Sequence, residues 1–447
     1  MKGLLRFIRT DGGRALFFGK DIELHEREIK EQIGYVAGGF SYYPLKKLRS
    51  IGKCAARFYK GWNADAYKNY LRAFGLDEDK KPSELSDGMK VKYFIALALS
   101  HGAKLLIMDE PTSGLDPLSR EEFCDLILKV VKEEGVSVLF STHITSDLMR
   151  VADDIVYIAD GEVLAAGAIG ELLAKYEVAC FAEMPKEQVV GLKEVKNGYE
   201  GLIAAGAPSP RVAPPADLDA DDPSGNRAQK GERMSALLKK FSLALHPASA
   251  LFVFFAAMVF IPNYPYEVMF FFSGLSAFFI CLTGRENKDL PFSCVLPVEK
   301  RDVAAARVLF CMILQLAQIV LCVPFIAIKS AWINMPNLAG MEANAAFLGF
   351  GLMMLGGFNL IFFPLYFKNP NKVGKPFAFG AVFIFLTVAA VTMCCQIAPL
   401  FKDVLDTRDP LHFGAKAVVF ALGAAVYAAA SFLSVKLSQR NFEKADL

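Results

Sequence analysis

The chain has 447 residues, of which 54% are hydrophobic, so it is too long for one ordinary domain and too apolar to be wholly soluble. Its 49 lysines and arginines nearly balance its 47 aspartates and glutamates, which leaves a net charge of +2. No basic block dominates, so the charge argues against nucleic acid as a partner. We expect part of the chain to lie in a lipid bilayer instead.

The first 203 residues alternate helical segments with short apolar strands, for example Lys104 to Met108 and Val136 to Phe140. This alternation predicts an α/β domain with a parallel sheet over residues 1–203. Residues 204–233 are rich in Pro, Asp, Ala and Gly and show no hydrophobic period, which is typical of a linker. A second domain is predicted over residues 234–447, where the sequence changes to long apolar runs.

Six such runs occur, and each approaches the roughly 20 residues that cross a bilayer. Their middles contain no Asp, Glu, Lys or Arg. A buried helix of a soluble domain could explain any single run, but six in succession predict an all-α domain of six transmembrane helices. The runs are Leu243 to Ile261, Tyr266 to Thr283, Val308 to Ile328, Ala345 to Phe367, Phe377 to Leu400 and Ala417 to Val435.

Basic residues are concentrated in alternate connections between these runs, namely the second, the fourth and the C-terminal tail. Because basic residues in short loops stay on the cytoplasmic side, both ends of the domain are predicted to be cytoplasmic. This places the α/β domain in the cytoplasm, at the plasma membrane. The second run is the weakest because Glu267 lies at its start, and a re-entrant hairpin of the first two runs would leave the sidedness unchanged.

The stretch "KLLIMDEPTSGLD", residues 104 to 116, is an apolar strand that ends in Asp109 and Glu110. Successive residues on a strand point to opposite sides, so one carboxylate can face a metal ion while the next faces a nucleophile. A simple strand terminus is the alternative explanation for this pair.

Three further motifs accompany the strand. "LSDGMK" places Ser86 and Gly88 at the start of a predicted helix, where an ordinary helix N-cap is the alternative explanation. "SGLD" ends at Asp116. "STH" follows the next strand and ends at His143, for which a histidine satisfied at a strand end is the alternative.

In this order and spacing, the four motifs resemble those of an ATP-binding cassette (ABC) transporter. The resemblance implies a P-loop NTPase-like domain that hydrolyses ATP with Mg²⁺. It assigns Asp109 to Mg²⁺ through water, and it makes Glu110 the catalytic general base and His143 a catalytic contact to the γ-phosphate. Ser86 and Gly88 would face ATP held by an opposing subunit. The nucleotide-binding residues that the resemblance implies are therefore Ser86, Gly88 and Asp116.

A phosphate-binding loop requires G-x-x-x-x-G-K-[ST], and no stretch of the chain matches it. "GKD" fails because Arg14 stands where the first glycine belongs and Asp21 would repel phosphate. Met1 to Gly13 resembles the helix that follows this loop in the family. We therefore expect an N-terminally incomplete cassette with little ATPase activity on its own. Ala37 and Gly38 also replace the Pro and Gln of many cassettes, which puts coupling through that segment in doubt.

The membrane half resembles the six-span exporter permeases that pair with such cassettes. "LPVEKRDVAAARVL", Leu296 to Leu309, is similar to their cytoplasmic coupling segment, although an ordinary positively charged loop would look alike. "MSALLKKFSLALHP", from Met234, is predicted to be an interfacial elbow with Leu237 and Phe241 on one face.

The combined resemblance implies a subunit of an ATP-driven exporter that works by alternating access. Its partner would be a second copy or a homologous complete ABC subunit. The alternative is a catalytically silent membrane subunit that needs a complete partner cassette. A soluble cassette protein acting on ribosomes is disfavoured by the six apolar runs, and the pattern assigns no transported substrate.

Overall fold

The computed structural model describes residues 1–37, 42–159, 161–181, 190–195, 198–204, 236–238, 240, 247–332 and 337–446. Contacts divide these residues into two units. The first unit contains residues 1–36, 42–107 and the described residues from 236 onward, and the second contains residue 37 and residues 108–204. This division differs from the predicted boundary at 203, because about the first half of the α/β region is grouped with the helical region. The predicted linker lies outside the described residues except for Ala204.

The α/β part of the first unit begins with a short antiparallel hairpin and continues with helices around an apolar core. The N-terminus of α1 is capped by Asp21, which accepts a hydrogen bond from the backbone N–H of Glu23 at 2.8 Å. Its strands and helices are β1 (Leu16–Phe17), β2 (Lys20–Asp21), α1 (Ile22–Glu31), β3 (Ile33–Ala37), α2 (Leu48–Ala55), α3 (Ala64–Ala73), α4 (Asp87–Ser100) and the start of β4 (Leu105–Asp109).

Strand β3 neighbours β4, and α4 packs closely on β3. A Cβ atom at Gly34 would lie 2.2 Å from the Cβ of Ala98 and 2.7 Å from a methyl group of Leu106. A glycine is therefore required where the helix crosses the strand. Val36, Ile95 and Leu106 are fully buried in this core.

The second unit contains the end of β4, which neighbours β5, followed by two antiparallel sheets. Asp116 caps the N-terminus of α5, and Gly135 ends this helix in the left-handed region at φ 64°. The elements are α5 (Pro117–Glu134), β5 (Ser137–Ser141), α6 (Thr145–Val151), β6 (Asp154–Ala159), β7 (Glu162–Ala168), α7 (Ile169–Lys175), β8 (Tyr176–Phe181), β9 (Val190–Val195) and β10 (Gly198–Ala204).

The helical part of the first unit contains five helices that are long and apolar enough to cross a membrane, among the described residues. They are Tyr266–Glu286, Lys300–Trp332, Ala345–Lys368, Gly374–Ile397 and Phe413–Glu443. These correspond to the second through sixth predicted runs, including the run that looked weakest in sequence. The first run differs, because its described part forms only the shorter apolar helix Ser249–Phe260, and its start at 243–246 lies outside the described residues.

By element, this part consists of α8 (Pro247–Leu251), a 3₁₀ segment (Phe252–Phe260), a 3₁₀ turn (Tyr266–Val268), α9 (Met269–Glu286), α10 (Asp289–Val295), α11 (Lys300–Trp332), α12 (Ala345–Lys368), α13 (Gly374–Ile397), a π-helical turn (Leu400–Leu405) and α14 (Phe413–Glu443).

The helices are held together partly by buried amides. Gln315 and Asn359 exchange two hydrogen bonds at 2.8 and 2.9 Å, and the Tyr427 hydroxyl donates to Gln315 at 3.0 Å. These hydrogen bonds join α11, α12 and α14 through polar side chains, as is usual between membrane helices.

The α/β and helical parts of the first unit meet along α10 and the start of α11. The Lys30 ammonium donates to the backbone oxygen of Cys294 at 2.7 Å, and the Lys300 ammonium donates to the backbone oxygen of Phe7 at 3.1 Å. Arg27 forms an ion pair with Asp302 at 3.4 Å. The contact therefore includes part of the predicted coupling segment but begins ahead of it, on α10.

Candidate active site

The second unit brings the predicted catalytic and metal residues together at the end of β4. Asp109 is the last residue of the strand, and its Oδ1 accepts a hydrogen bond from the Ser141 hydroxyl at 2.8 Å. The backbone N–H of Glu110 donates to the backbone oxygen of Ser141 at 3.1 Å. The ends of β4 and β5 are thereby tied together, and the first carboxylate is oriented by a neighbouring hydroxyl.

Glu110 and His143 form a direct contact. Nδ1 of His143 lies 2.9 Å from Oε2 of Glu110, and the two side chains are 73% and 38% exposed. A carboxylate within hydrogen-bond distance of an imidazole, both open to solvent, is an arrangement that can accept and hold a proton from water. The two predicted catalytic residues are therefore neighbours in space, although 33 positions separate them in sequence.

Glu110 adopts a backbone conformation that is uncommon for a residue with a side chain, at φ 50°. The turn that follows is held by the Ser113 N–H, which donates to the Glu110 oxygen at 3.2 Å, and by the Leu115 N–H, which donates to the Thr112 oxygen at 3.1 Å. The carboxylate is thus presented from a constrained turn at the strand end.

Asp116 closes this turn as the N-cap of α5. It accepts hydrogen bonds from the Ser119 hydroxyl at 2.6 Å and from the Ser119 backbone N–H at 3.0 Å. These hydrogen bonds, the hydroxyl first, lower the pKa of the exposed Asp116 carboxyl. The side chain therefore has a capping role in addition to the predicted one in nucleotide binding.

Ser86 and Gly88 belong to the first unit, at the start of α4. The Ser86 side chain accepts a hydrogen bond from the Met89 backbone N–H at 3.2 Å, so the N-cap interpretation is correct for this serine. Lys90 pairs with Asp87 at 2.8 Å, which offsets the negative charge that Asp87 would bring near a phosphate. An exposed helix N-terminus with a capping serine presents N–H groups that suit an anion.

Two contributions were not anticipated from the sequence. Ser141 has no role of its own predicted within the "STH" motif, yet it orients Asp109. Thr112 is fully buried and donates to Asp147 at 2.8 Å, which ties the turn after Glu110 to α6. Nothing in the local pattern marks Asp147, because its partner is 35 positions away.

The residues present suit a magnesium ion held mainly by water and phosphate. Mg²⁺ usually takes one or two protein carboxylates and keeps several waters. Asp109 supplies one carboxylate. No group of three or more His, Cys, Asp or Glu that could hold a metal occurs within the described part of the chain, so a dedicated protein cage is not seen there.

Comparison with known proteins gives a family match for each half of the chain. Residues 236–443 match the model "ABC-2 family transporter protein", and residues 5–146 match the model "AAA domain, putative AbiEii toxin, Type IV TA system". An uncharacterised ABC transporter ATP-binding protein of Synechocystis sp. is 29% identical over 184 residues, 40% of this chain and 51% of that protein. The chain joins an ABC cassette domain to an ABC-2 family transmembrane domain.

Other relatives match the cassette domain as well. The bacitracin transport ATP-binding protein BcrA of Bacillus licheniformis is 31% identical over 163 residues, 36% of this chain and 53% of that protein. The methionine import ATP-binding protein MetN 4 of Oceanobacillus iheyensis is 36% identical over 154 residues, 32% of this chain and 42% of that protein. The chain thus spans about half the length of the curated relatives it matches.

A solved structure of an ATP-binding subunit of an ABC transporter is 25% identical, with a TM-score of 0.34, and the match covers 39% of this chain and 74% of that one. The family match over residues 5–146 and the ABC relatives give the cassette domain the P-loop NTPase fold. The ABC-2 domain, with five apolar helices among its described residues, is that of a multi-pass membrane protein. The predicted combination of an ABC cassette with a transporter membrane domain is confirmed.

Proposed function

We propose that this protein is a subunit of an ATP-driven exporter of the plasma membrane, with its cassette in the cytoplasm. The observation that carries the proposal is the Glu110–His143 contact, 2.9 Å long, beside an Asp109 that is oriented by Ser141. This arrangement suits hydrolysis, and the same chain carries the membrane domain that hydrolysis would drive.

Each residue has a separate task in this proposal. Glu110 accepts a proton from the attacking water, and His143 holds the Glu110 carboxylate in place. Asp109 would hold Mg²⁺ through water, while Ser86 and Gly88 offer the N-terminus of α4 to a phosphate. Bound ATP with Mg²⁺ would supply the phosphoanhydride bond whose hydrolysis drives the transport cycle.

No stretch of these 447 residues matches the phosphate-binding loop G-x-x-x-x-G-K-[ST]. We propose that a second cassette supplies this loop. ABC cassettes work as dimers or with partner subunits, which is consistent with a two-cassette site. The second subunit would be another copy or a homologous complete ABC subunit.

The test is ATP hydrolysis by the complex purified from native membranes. Glu110→Gln should lower kcat by about 10² or more, because the amide cannot accept a proton from water. Glu134→Gln is the matched control, since Glu134 is exposed at the end of α5 in the same unit, and it should leave kcat unchanged.

Equal rates for the wild type and Glu110→Gln, with ATP hydrolysed by the complex, would make this chain the silent subunit. Absence of ATP hydrolysis in the wild-type complex would reject the proposal that the protein is a subunit of an ATP-driven exporter.

A further inference from the structure

Asp289 lies at the centre of a buried polar cluster in the first unit, which we call the Asp289 cluster. Its members come from four separate parts of the chain: the α/β part, the segment ahead of α8, α10 and α11. All five are fully buried, and they are Tyr43, Lys240, Asp289, Ser293 and Arg307.

Both oxygens of the Asp289 carboxylate are used. The Lys240 ammonium donates to Oδ1 at 2.6 Å, and the Tyr43 hydroxyl donates to the same oxygen. The Arg307 guanidinium donates to Oδ2 and, through Nη1, to the backbone oxygen of Ile280 at 3.2 Å. One carboxylate therefore joins three elements that are far apart in sequence.

Gly284 leaves room for the Arg307 side chain in this cluster. A Cβ atom at Gly284 would lie 2.5 Å from Nη1 of Arg307, so a side chain there would displace the guanidinium. Buried ion pairs often stabilise no better than apolar side chains of equal size, whereas removal of one partner costs about 3–5 kcal/mol. Such a cluster is better suited to fixing which elements meet than to adding stability.

Tyr43 is the member of the cluster that belongs to the α/β part. Its backbone N–H donates to the Asn287 oxygen at 3.2 Å, and its ring packs edge-on against Phe292 at 5.4 Å. Tyr43 and Lys288 both take positive φ values, 49° and 50°. Residues with such strained backbones persist only where many surrounding contacts hold them in place. Here Tyr43 lies on the α/β side of the contact and Lys288 on the helical side.

Tyr42 also lies against α10, since its ring packs on Phe292 with centroids 5.3 Å apart. Two successive residues of the α/β part therefore contact this short helix, and the second is the residue whose hydroxyl touches the buried carboxylate.

We propose that Asp289 is a positioning residue: Lys240 and Arg307 fix its carboxylate inside the helical part, and the Tyr43 hydroxyl is a separable link by which the α/β part holds α10. Only the effect of this hydrogen bond on ATP hydrolysis rests on the proposed function. The hydrogen bond between Tyr43 and Asp289 does not depend on it.

The test uses Tyr43→Phe in the full chain in lipid nanodiscs, because this change keeps the ring contacts and removes only the hydroxyl. Amide hydrogen exchange in residues 287–295 should become about tenfold faster or more, since a hydrogen bond to a buried charge is lost. Tyr93→Phe is the matched control: its hydroxyl is also buried but donates to the Leu48 oxygen at 3.0 Å, within the α/β part. That variant should leave exchange at 287–295 unchanged.

Asp289→Asn is the second variant, and it should speed exchange in both 287–295 and 300–310, because two buried cations lose their carboxylate. Wild-type exchange at 287–295 in Tyr43→Phe, or equal acceleration by Tyr93→Phe, would overturn the proposal, whether or not the protein hydrolyses ATP.

ATPase kinetics of the native complex then test whether the Tyr43 hydroxyl affects catalysis as well as local packing. Tyr43→Phe should lower kcat for ATP several-fold with KM unchanged, because no predicted nucleotide-binding residue is altered. Unchanged kcat in an active complex would overturn the positioning role. An inactive wild-type complex would reject the proposed function and leave the exchange result to decide the link.

Discussion

Single residues in this protein often serve local structure and chemistry together. Ser86 caps α4 at 3.2 Å from the Met89 N–H, and Asp116 caps α5, yet both also belong to motifs that resemble nucleotide-binding sequences. Glu110 is held at φ 50°, a conformation that costs about 1–3 kcal/mol for such residues. Strain at the proposed catalytic base, sustained by the Glu110 backbone N–H that donates to Ser141, is the pattern expected of a functional turn.

His101 is buried, so it offers a test of how burial changes the pKa of one residue and the stability of the protein. Its ring stacks on Tyr59 with centroids 3.8 Å apart, and burial lowers the pKa of its imidazole to about 4 from 6.5. Because this pKa is depressed on folding, the unfolded chain binds the extra proton between pH 6.5 and 4. The stability contribution is complete above pH 6.5 and is lost as the pH falls toward 4.

We expect the wild type to lose about 2 kcal/mol between pH 7 and pH 5 through this group alone. His101→Phe keeps a ring on Tyr59 but cannot titrate, so its thermal midpoint should fall less over the same interval. His412→Asn, which changes an exposed histidine, should retain the wild-type slope. An identical slope in wild type and His101→Phe would contradict the assignment. Differential scanning fluorimetry at the two pH values measures all three.

At the scale of elements, α12 and α14 pack closely against each other in the membrane domain. A Cβ atom at Gly423 would lie 2.2 Å from the backbone oxygen of Gly349, and one at Gly349 would lie 2.6 Å from the backbone oxygen of Val419. Backbone cannot move aside as a flexible side chain can. Small residues at this crossing let the helices approach closely, as is usual where both helices are surrounded by lipid.

Gly423→Ala should therefore destabilise the protein by about 1–3 kcal/mol, since a methyl group must push the two backbones apart. Gly414→Ala is the matched control on the same helix, because nothing lies within 4 Å of its added Cβ. That control should be neutral or slightly stabilising. Thermal midpoints in detergent compare the two, and equal midpoints would show that α12 and α14 do not meet at this glycine.

At the scale of the whole molecule, the five long helices and the distribution of lysine and arginine predict which connections face the cytoplasm. The connection between α12 and α13 carries Lys368 and Lys372 and is predicted to be inside, with the cassette. The connection between α11 and α12 is predicted to be outside.

Cysteine labelling of intact cells measures this sidedness. Leu338→Cys, at a position that is 72% exposed between α11 and α12, should react with a membrane-impermeant maleimide added from outside. Asn371→Cys, exposed between α12 and α13, should react only after the cells are opened. The wild type provides the background from its nine native cysteines. The reverse pattern would invert the predicted orientation.

The sequence predicted the motif-bearing elements well because each is marked locally. The β4 strand, the α4 helix and five of the six apolar runs follow from hydrophobic period, capping residues and length. The domain boundaries were harder, because contacts between the first 107 residues and α10 leave no periodic signal in either segment.

The sequence by itself determined the two domain types, the order of the motifs and the identity of Asp109, Glu110 and His143 as candidates. These depend on neighbours within a few positions and on transfer of apolar side chains from water. Tertiary structure alone decided that His143 meets Glu110, that Ser141 orients Asp109, and that Tyr43 and Lys240 share the carboxylate of Asp289. Such contacts join residues from about 30 to 250 positions apart. They depend on how whole elements pack, which no local pattern encodes.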